Sequence, residues 1–357
     1  MRALPSLLFS LFLGAAVQAQ WWKVQTSGFA SNLRGVSVAR VRSTKGVAKV
    51  AVWVCGSNGV ILRSFDKGKT WQRSHVEGGQ ALDFRGIVAF SATSAYVMSS
   101  GEGEKSRIYK TSDGGETWKL QYTDKRKEFF LDTLACLSET RCYALGDPLD
   151  GKFLLLGTTD GAHWNPRPSE KMPAALPGEG AFAASNTCLL LSGEQIFFGT
   201  GGPAARVFHS PDSGRTWTVA ETPMAHGNAS SGIFSIARGP KNEVIVVGGD
   251  YKDATKASAD AAYSLDEGQT WQLSAPQPGG YRSAVACGIG PVCVASGPNG
   301  EDVSMSQVSG AHWKPTDSLN LNAALILDAK NGWAVGPQGT IARFVGHTMK
   351  NVHSSAW

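Results

Sequence analysis

A short turn motif of the form Ser/Thr-x-Asp-x-Gly-x-Thr-Trp recurs along this chain and strongly restricts its possible folds. Four copies are complete, and their aspartates are Asp66, Asp113, Asp212 and Asp266. A fifth copy, around Asp160, lacks one residue between Asp and Gly, and a sixth has Val308 where the Asp would stand. In such a turn the Ser/Thr and Asp oxygens accept hydrogen bonds from nearby backbone amides, Gly supplies a positive φ, and Trp enters a packed strand. The motif therefore predicts a hairpin corner that occurs six times.

The tryptophans that end the motif set a repeat length. They are Trp71, Trp118, Trp164, Trp217, Trp271 and Trp313. The period is roughly 40–55 residues, which is the range of β-propeller blades. Each period contains short apolar runs separated by Gly, Asn, Asp and Pro, as in 50–54 and 59–63, and such runs are typical of strands joined by turns. Because no long helical periodicity follows residue 19, we expect an all-β protein.

The spacing predicts seven blades, although the motif occurs six times. Residues from 20 onward divide into seven blades of roughly 48 residues each. The segment Trp22–Gln25 resembles the residues that begin at the motif Trp in other repeats, as at 118–121, and the last repeat, 321–345, stops before such a segment. We therefore expect a seven-bladed β-propeller of four-stranded antiparallel blades, in which the N-terminal strand completes the last blade and removes two open sheet edges.

The first 19 residues have the layout of a signal peptide. Arg2 precedes an apolar run from Leu7 to Val17, and small or branched residues come before Gln20. We predict cleavage after Ala19, a propeller over 20–346 and a C-terminal tail over 347–357. The mature protein would be periplasmic or extracellular, and no later segment has the length and apolar content of a membrane span.

Composition and motif content argue against several function classes. The formal net charge of +5 is small, and the basic run 125–127 lacks interleaved aromatics, so we expect no nucleic-acid partner. Segment 101–106 lacks the spacing of a phosphate loop, and Gly199 and Gly201 do not begin a complete dinucleotide fingerprint, so we expect no cofactor. The seven His residues do not cluster at metal-ligand spacing, so we expect no metal site.

All six Cys residues lie after the predicted signal peptide, in a chain whose destination would permit disulfides. Cys136 and Cys142 flank five residues across a predicted strand-turn-strand, and Cys287 and Cys293 do the same at the corresponding place in their repeat. We predict two hairpin disulfides. The alternative is that these are buried free thiols, which behave as small apolar side chains. Cys55 and Cys188 have no obvious partners.

A polar residue followed by a small or short one lies where each innermost strand is predicted to begin. The series is Arg34, Arg85, Asp132, Glu179, Ser231, Arg282 and Asn322. Innermost strands crowd the propeller axis, so these polar side chains would surround the mouth of the central channel. The loops between second and third strands open on the same face and add Asp147, Asp250 and Tyr251.

This arrangement predicts a polar funnel that binds a ligand. We expect its ligand-binding residues to be Arg34, Arg85, Asp132, Glu179, Arg282, Asp147, Asp250 and Tyr251. The alternative is a channel lined by paired charges and water, with no ligand. The turn motifs lie on the opposite face, so we expect a purely structural role for Asp66, Asp113, Asp160, Asp212 and Asp266.

The turn motif resembles the Asp-box, or BNR repeat, of sialidases, sortilin and xyloglucanases. The pattern over about 20–346, including 331–341, is similar to that of photosystem II assembly and stability factor-like propellers. The resemblance implies an exported, non-catalytic binding or assembly factor that takes a protein or glycan partner at the funnel, and we expect a monomer. Enzymes and non-enzymes share Asp-boxes, so the motif does not fix the chemistry.

The alternative function is that of a glycoside hydrolase or sialidase-like enzyme. Sialidases use an Arg cluster with a Tyr nucleophile and a helper Glu and Asp, and the three funnel arginines with Tyr251, Glu179 and Asp132 can be assigned these roles. The catalytic candidates of this alternative are therefore Asp132, Glu179 and Tyr251. A separation of about 5–10 Å between two such carboxylates across an open pocket would favour hydrolysis.

Overall fold

The computed structural model describes residues 21–41, 49–288, 290, 292–328 and 331–345. Within these ranges the chain forms seven antiparallel sheets, six with four strands and one with five. The only helices in this part of the chain are three short 3₁₀ turns, at Gly103–Lys105, Tyr251–Asp253 and Pro337–Gly339. The predicted seven-bladed, all-β propeller is therefore confirmed. The predicted signal peptide and the C-terminal tail lie outside the described residues.

The first strand, β1 (Trp22–Thr26), belongs to the last blade, and the next three blades use consecutive strands. Blade 1 contains β2 (Leu33–Val41), β3 (Lys49–Gly56), β4 (Val60–Ser64) and β5 (Gln72–Ser74). Blade 2 contains β6 (Phe84–Ala89), β7 (Ala95–Ser99), β8 (Arg107–Thr111) and β9 (Lys119–Thr123). Blade 3 contains β10 (Leu131–Ser138), β11 (Arg141–Leu149), β12 (Lys152–Thr158) and β13 (Asn165–Pro166).

A short segment between two strands of blade 4 pairs with blade 5. Blade 4 contains β14 (Leu189–Ser192), β15 (Gln195–Gly199), β17 (Arg206–Ser210) and β18 (Thr218–Glu221). The intervening β16 (Gly201–Gly202) pairs instead with β19 (Asn228–Arg238), the first strand of blade 5. Blade 5 also contains β20 (Val244–Asp250), β21 (Ala261–Ser264) and β22 (Gln272–Leu273). Blade 6 contains β23 (Ala284–Cys287), β24 (Cys293–Gly297), β25 (Gly300–Ser304) and β26 (Lys314–Asp317).

The last blade is closed by the N-terminal strand. It contains β27 (Ala323–Asp328), β28 (Asn331–Val335) and β29 (Thr340–Phe344), and β1 is hydrogen-bonded to β29. The pairing is antiparallel, with Trp22 opposite Phe344 and Gln25 opposite Ile341. Ring closure by the N-terminal strand is therefore confirmed, and pairing with β1 removes the open edge that β29 would otherwise present.

The core lies between neighbouring blades. Along β3 successive side chains point to opposite faces of the sheet. Trp53 accordingly packs in a cluster with blade 2, and Val52 packs in a cluster with the closing blade. Both side chains are fully buried. This two-sided burial explains why 50–54 is a nearly continuous apolar run rather than an alternating one.

The turn motif forms the corner that its residue types predict. At the first copy, Ser64 Oγ accepts from the Gly68 amide at 2.8 Å, and Asp66 accepts from the Thr70 amide at 2.9 Å and from its hydroxyl at 2.7 Å. Gly68 has φ 81°, where a side chain would be strained. Desolvation opposes ionisation of Asp66, but the hydrogen bonds from Thr70 and Ser64 outweigh it and lower the pKa to about 2.

Two disulfides join the first and second strands of their blades. Cys136 is bonded to Cys142 between β10 and β11, and Cys287 to Cys293 between β23 and β24. Cys55 and Cys188 are free and buried, and burial raises the pKa of both thiols. Among the residues that the structure describes, no helix has the length and apolar character needed to cross a bilayer.

Candidate functional site

A cavity of about 520 Å³ lies where the innermost strands of the seven blades converge. Five of the eight residues that the sequence predicted to bind a ligand line it, namely Arg34, Arg85, Asp132, Asp147 and Tyr251. The first three share one structural position, because each is the second residue of its innermost strand, in β2, β6 and β10. Ser283 and Asn322 line the cavity from blades 6 and 7.

The two arginines in the cavity differ in how their charges are satisfied. Arg85 Nε donates to Asp83 at 2.8 Å and Arg85 Nη1 donates to the Ala183 carbonyl at 2.7 Å. No carboxylate among the described residues forms an ion pair with Arg34. Its guanidinium contacts the Asn32 amide, whose oxygen, when turned towards it, accepts from Nη2 at 3.1 Å. Burial, and then the neighbouring Arg85, lower the pKa of Arg34.

The two aspartates form a carboxyl pair in the same cavity. Asp132 is 1% exposed, and its Oδ2 has no hydrogen-bond partner within the described structure. Burial, and then Asp147, raise the pKa of Asp132 well above its usual range, although Arg85 opposes this. Asp147 accepts from the Ala181 amide at 3.1 Å, and burial raises its pKa despite that bond.

An aromatic wall forms another part of the lining. Phe182 is stacked on Phe234, with ring centroids 3.8 Å apart and planes at 12°. Tyr281 and Tyr251 meet Phe234 edge-on at 4.7 Å and 6.1 Å. The sequence singled out only Tyr251. Phe182 and Phe234 each follow by two residues a glycine of the predicted inner-strand region, which is the only sequence feature they share.

Glu179 and Arg282 do not reach the cavity, because each is held in a buried ion pair. Glu179 is bonded to Arg206, whose Nε donates at 2.9 Å, and it also accepts from the Thr200 hydroxyl at 2.6 Å. The strand predicted to start at Glu179 begins instead at Leu189, in β14. Arg282 Nε donates to Asp302 at 2.7 Å. Both ions are therefore paired inside the fold, and neither lines the cavity.

Asp250 is likewise engaged locally and is not among the lining residues. It caps a short 3₁₀ turn by accepting from the Lys252 amide at 2.9 Å, and it accepts from the Asn228 amide group at 3.1 Å. Hydrogen bonding from Ser230, opposed by desolvation, helps to lower its pKa. Its role is therefore to fix the loop that presents Tyr251.

The turn motifs lie at the other end of the blades. In blade 1 the antiparallel pairing places the start of β2, the end of β3 and the start of β4 at the cavity. The motif at 64–71 comes after the end of β4, so it lies at the opposite end of that strand. Within the described ranges, no group of three or more His, Cys, Asp or Glu is arranged to hold a metal ion.

Comparison with known proteins relates the chain to other propellers. No protein-family model matches it. A curated relative, the photosystem II assembly lipoprotein Ycf48 of Synechococcus sp. (strain CC9902), is 31% identical over 72 residues. That match spans 20% of this chain and only 20% of the relative's own length.

Solved structures match over nearly the whole chain. A structure of YCF48 bound to D1 peptide has a TM-score of 0.62 at 13% identity and covers 93% of this chain and 99% of that one. YCF48 from Cyanidioschyzon merolae has a TM-score of 0.63 at 14% identity, with 91% and 99% covered. Virginiamycin B lyase from Staphylococcus aureus has a TM-score of 0.58 at 13% identity, with 90% and 98% covered. At these identities the likeness shows the fold, which binding proteins and an enzyme share.

Proposed function

We propose that this chain is an exported, non-catalytic binding propeller that holds a segment of a protein partner in the cavity at the channel mouth. The observation that carries the proposal is Arg34, a partly buried cation with no ion-pair partner among the described residues, beside a second arginine. Burying such charges is costly unless an anion compensates them. A carboxylate of the partner would do so through paired hydrogen bonds from the planar guanidinium.

Two further observations support this assignment. One solved neighbour is YCF48 bound to D1 peptide, so a propeller of this architecture accepts a peptide. The two disulfides are typical of proteins in an oxidising compartment, which agrees with the signal peptide predicted for residues 1–19. In this proposal the turn motifs are Asp-boxes with a purely structural role, and a glycan is the other partner class.

The arrangement of charged groups favours binding over hydrolysis. The sialidase-like assignment needs three arginines around one anion, but Arg282 is bonded to Asp302. The acid pair proposed for a glycosidase needs Glu179, which is neutralised by Arg206. With both groups engaged, the constellation that either enzyme mechanism requires is incomplete.

A display experiment tests the proposal. Random dodecapeptides displayed on phage are selected against the full exported protein, and the same protein is applied to a glycan array. We expect selected peptides enriched in acidic residues or ending in a free carboxylate. Arg34→Lys retains the charge but loses the planar two-pronged geometry, so it should weaken binding of a selected peptide by about tenfold.

The matched control is Arg215→Lys, on an exposed side chain in a turn at the opposite face. It should bind like the parent. Selection of glycans without peptides would overturn the protein-partner assignment. Equal affinity of parent and Arg34→Lys for the selected peptides would remove Arg34 from the site.

A further inference from the structure

The Asp132–Asp147 pair is not neutralised by any cation among the described lining residues. Arg85 is within electrostatic reach of Asp132, but its guanidinium donates to Asp83 and to the Ala183 carbonyl. Asp132 Oδ2 has no hydrogen-bond donor within the described structure. A buried carboxyl oxygen without a donor is costly, so a partner supplied from outside the chain would stabilise it.

Two phenylalanines line the same cavity as the carboxyl pair and are connected to it through the backbone. The Ala181 amide donates to the Asp147 side chain at 3.1 Å, and Phe182 is the following residue. The Asp147 amide in turn donates to the Phe130 carbonyl at 3.1 Å. Phe130 and Phe182 both line the cavity. Carboxylates beside aromatic faces form the environment that recognises organic cations, through charge-assisted hydrogen bonds and cation–π attraction.

We infer that Asp132 and Asp147, with Phe130 and Phe182 beside them, form a subsite for the basic side chain of the bound segment, the ammonium of Lys or the guanidinium of Arg. The inference rests on the proposed function and adds to it a second contact of opposite charge. One anionic group of the segment binds at Arg34, and one cationic group binds at the aspartates. The partner is therefore recognised by a pair of opposite charges rather than by net acidity.

Proton exchange follows from the same geometry. In the empty cavity, burial and the neighbouring Asp147 favour the protonated form of Asp132; the charged or titratable groups facing it are Asp147, Arg85 and the Cys188 thiol. An entering cation favours the carboxylate instead, so its binding releases a proton. Affinity for a cationic segment should therefore fall as the pH is lowered, whereas contact with Arg34 alone weakens only when the carboxylate of the segment itself is protonated.

The test uses hexapeptide libraries in which each member carries one Glu and one second residue, which is Lys, Arg or norleucine. The Glu is placed at each position in turn, and the second residue is placed at each possible spacing from it. Binding to the full exported protein is measured by fluorescence anisotropy. We expect the Lys and Arg members to bind about tenfold more tightly than the matched norleucine members. This difference should disappear in Asp132→Asn and in Asp147→Asn, because the amide carries no charge that would attract the cation.

Glu102→Gln is the matched control, since this exposed carboxylate belongs to the loop between β7 and β8 on the same face but does not line the cavity. It should retain the preference for Lys and Arg. Titration calorimetry of the best Lys member in buffers of different ionisation enthalpy should show proton release that is lost in Asp132→Asn and smaller in Asp147→Asn. That variant keeps the test decisive if Asp132→Asn does not fold.

Two outcomes separate this inference from the function on which it rests. If norleucine members bind as tightly as Lys and Arg members, and all depend on Arg34, the cationic subsite is refuted and peptide binding stands. If no member binds the parent at any spacing, both are refuted.

Discussion

Replacement of Trp22 by Ala is expected to destabilise the ring through its closing strand. The indole is fully buried and meets Phe344 edge-on, with centroids 5.3 Å apart at 69°. It belongs to a core cluster that also contains Ala286 and Val294 of blade 6 and Ala342 of β29. The side chain therefore joins β1 both to its own blade and to the neighbouring one.

The magnitude can be worked out from this burial. Truncating a fully buried Trp to Ala costs about 3–5 kcal/mol, which includes the loss of the edge-to-face pair. For a chain of this size each kcal/mol lowers the melting temperature by about 2 °C, so we expect Trp22→Ala to melt about 6–10 °C below the parent. Deletion of 20–25 should cost more, because the paired backbone of β1 is lost as well.

The assay is thermal unfolding followed by circular dichroism, with urea unfolding as a second measure. The control is Val24→Ala, on the same strand but 48% exposed, which should cost less than about 1 kcal/mol. If Trp22→Ala and Val24→Ala melt within about 2 °C of each other, the closing strand does not stabilise the ring as described.

Three further perturbations test other features. Non-reducing peptide mapping should recover both hairpin disulfides, and reduction should cost about 2 kcal/mol per bridge because each loop is short; free thiols at all four positions would contradict this. The pKa of Asp66 is lowered in the folded protein, so the stability that its carboxylate contributes is present above its usual pKa and is lost as the pH falls towards 2. Asp66→Asn should therefore be less stable than the parent at about pH 6 and equally stable near pH 2, and its peptide affinity should be unchanged. Burial, and then Asp317, raise the pKa of Glu301, so the folded protein loses stability as the pH rises through this raised pKa. Glu301→Gln should therefore be more stable than the parent at alkaline pH but not at about pH 4, and the reverse order in urea unfolding would refute this.

The fold was largely predictable because its determinants are local and repeated. Each turn motif encodes a corner through residues within eight positions of one another, and the spacing of the motif gives the blade length. Even the long-range closure by β1 left a local sign, since Trp22 and the residues after it match the segment that begins at the motif Trp in other repeats. The pairing of the two-residue strand β16 with blade 5 has no comparable sequence pattern, because Gly201 and Gly202 pair through backbone atoms only.

The cavity was predictable only in part, because strand position does not fix which partner a side chain finds. Arg34 and Arg282 occupy corresponding places in their repeats. Asp302, twenty residues further along, forms an ion pair with Arg282, whereas no carboxylate of the described chain lies within ion-pair distance of Arg34. Glu179 is similarly taken up by Arg206. Those pairings depend on the geometry of each blade, which the repeat pattern does not carry.

Closure by β1 also dictates an order of assembly. Ser27 and Gly339 are hydrogen-bonded across 312 positions of sequence, and contacts of such long range form late in folding. Since β1 precedes β29 in the sequence, it is synthesised before its partner and stays unpaired until the blades between them are in place. Until then β29 presents a free apolar edge that a second chain can capture. The time spent as an open arc is therefore the period in which aggregation competes with closure.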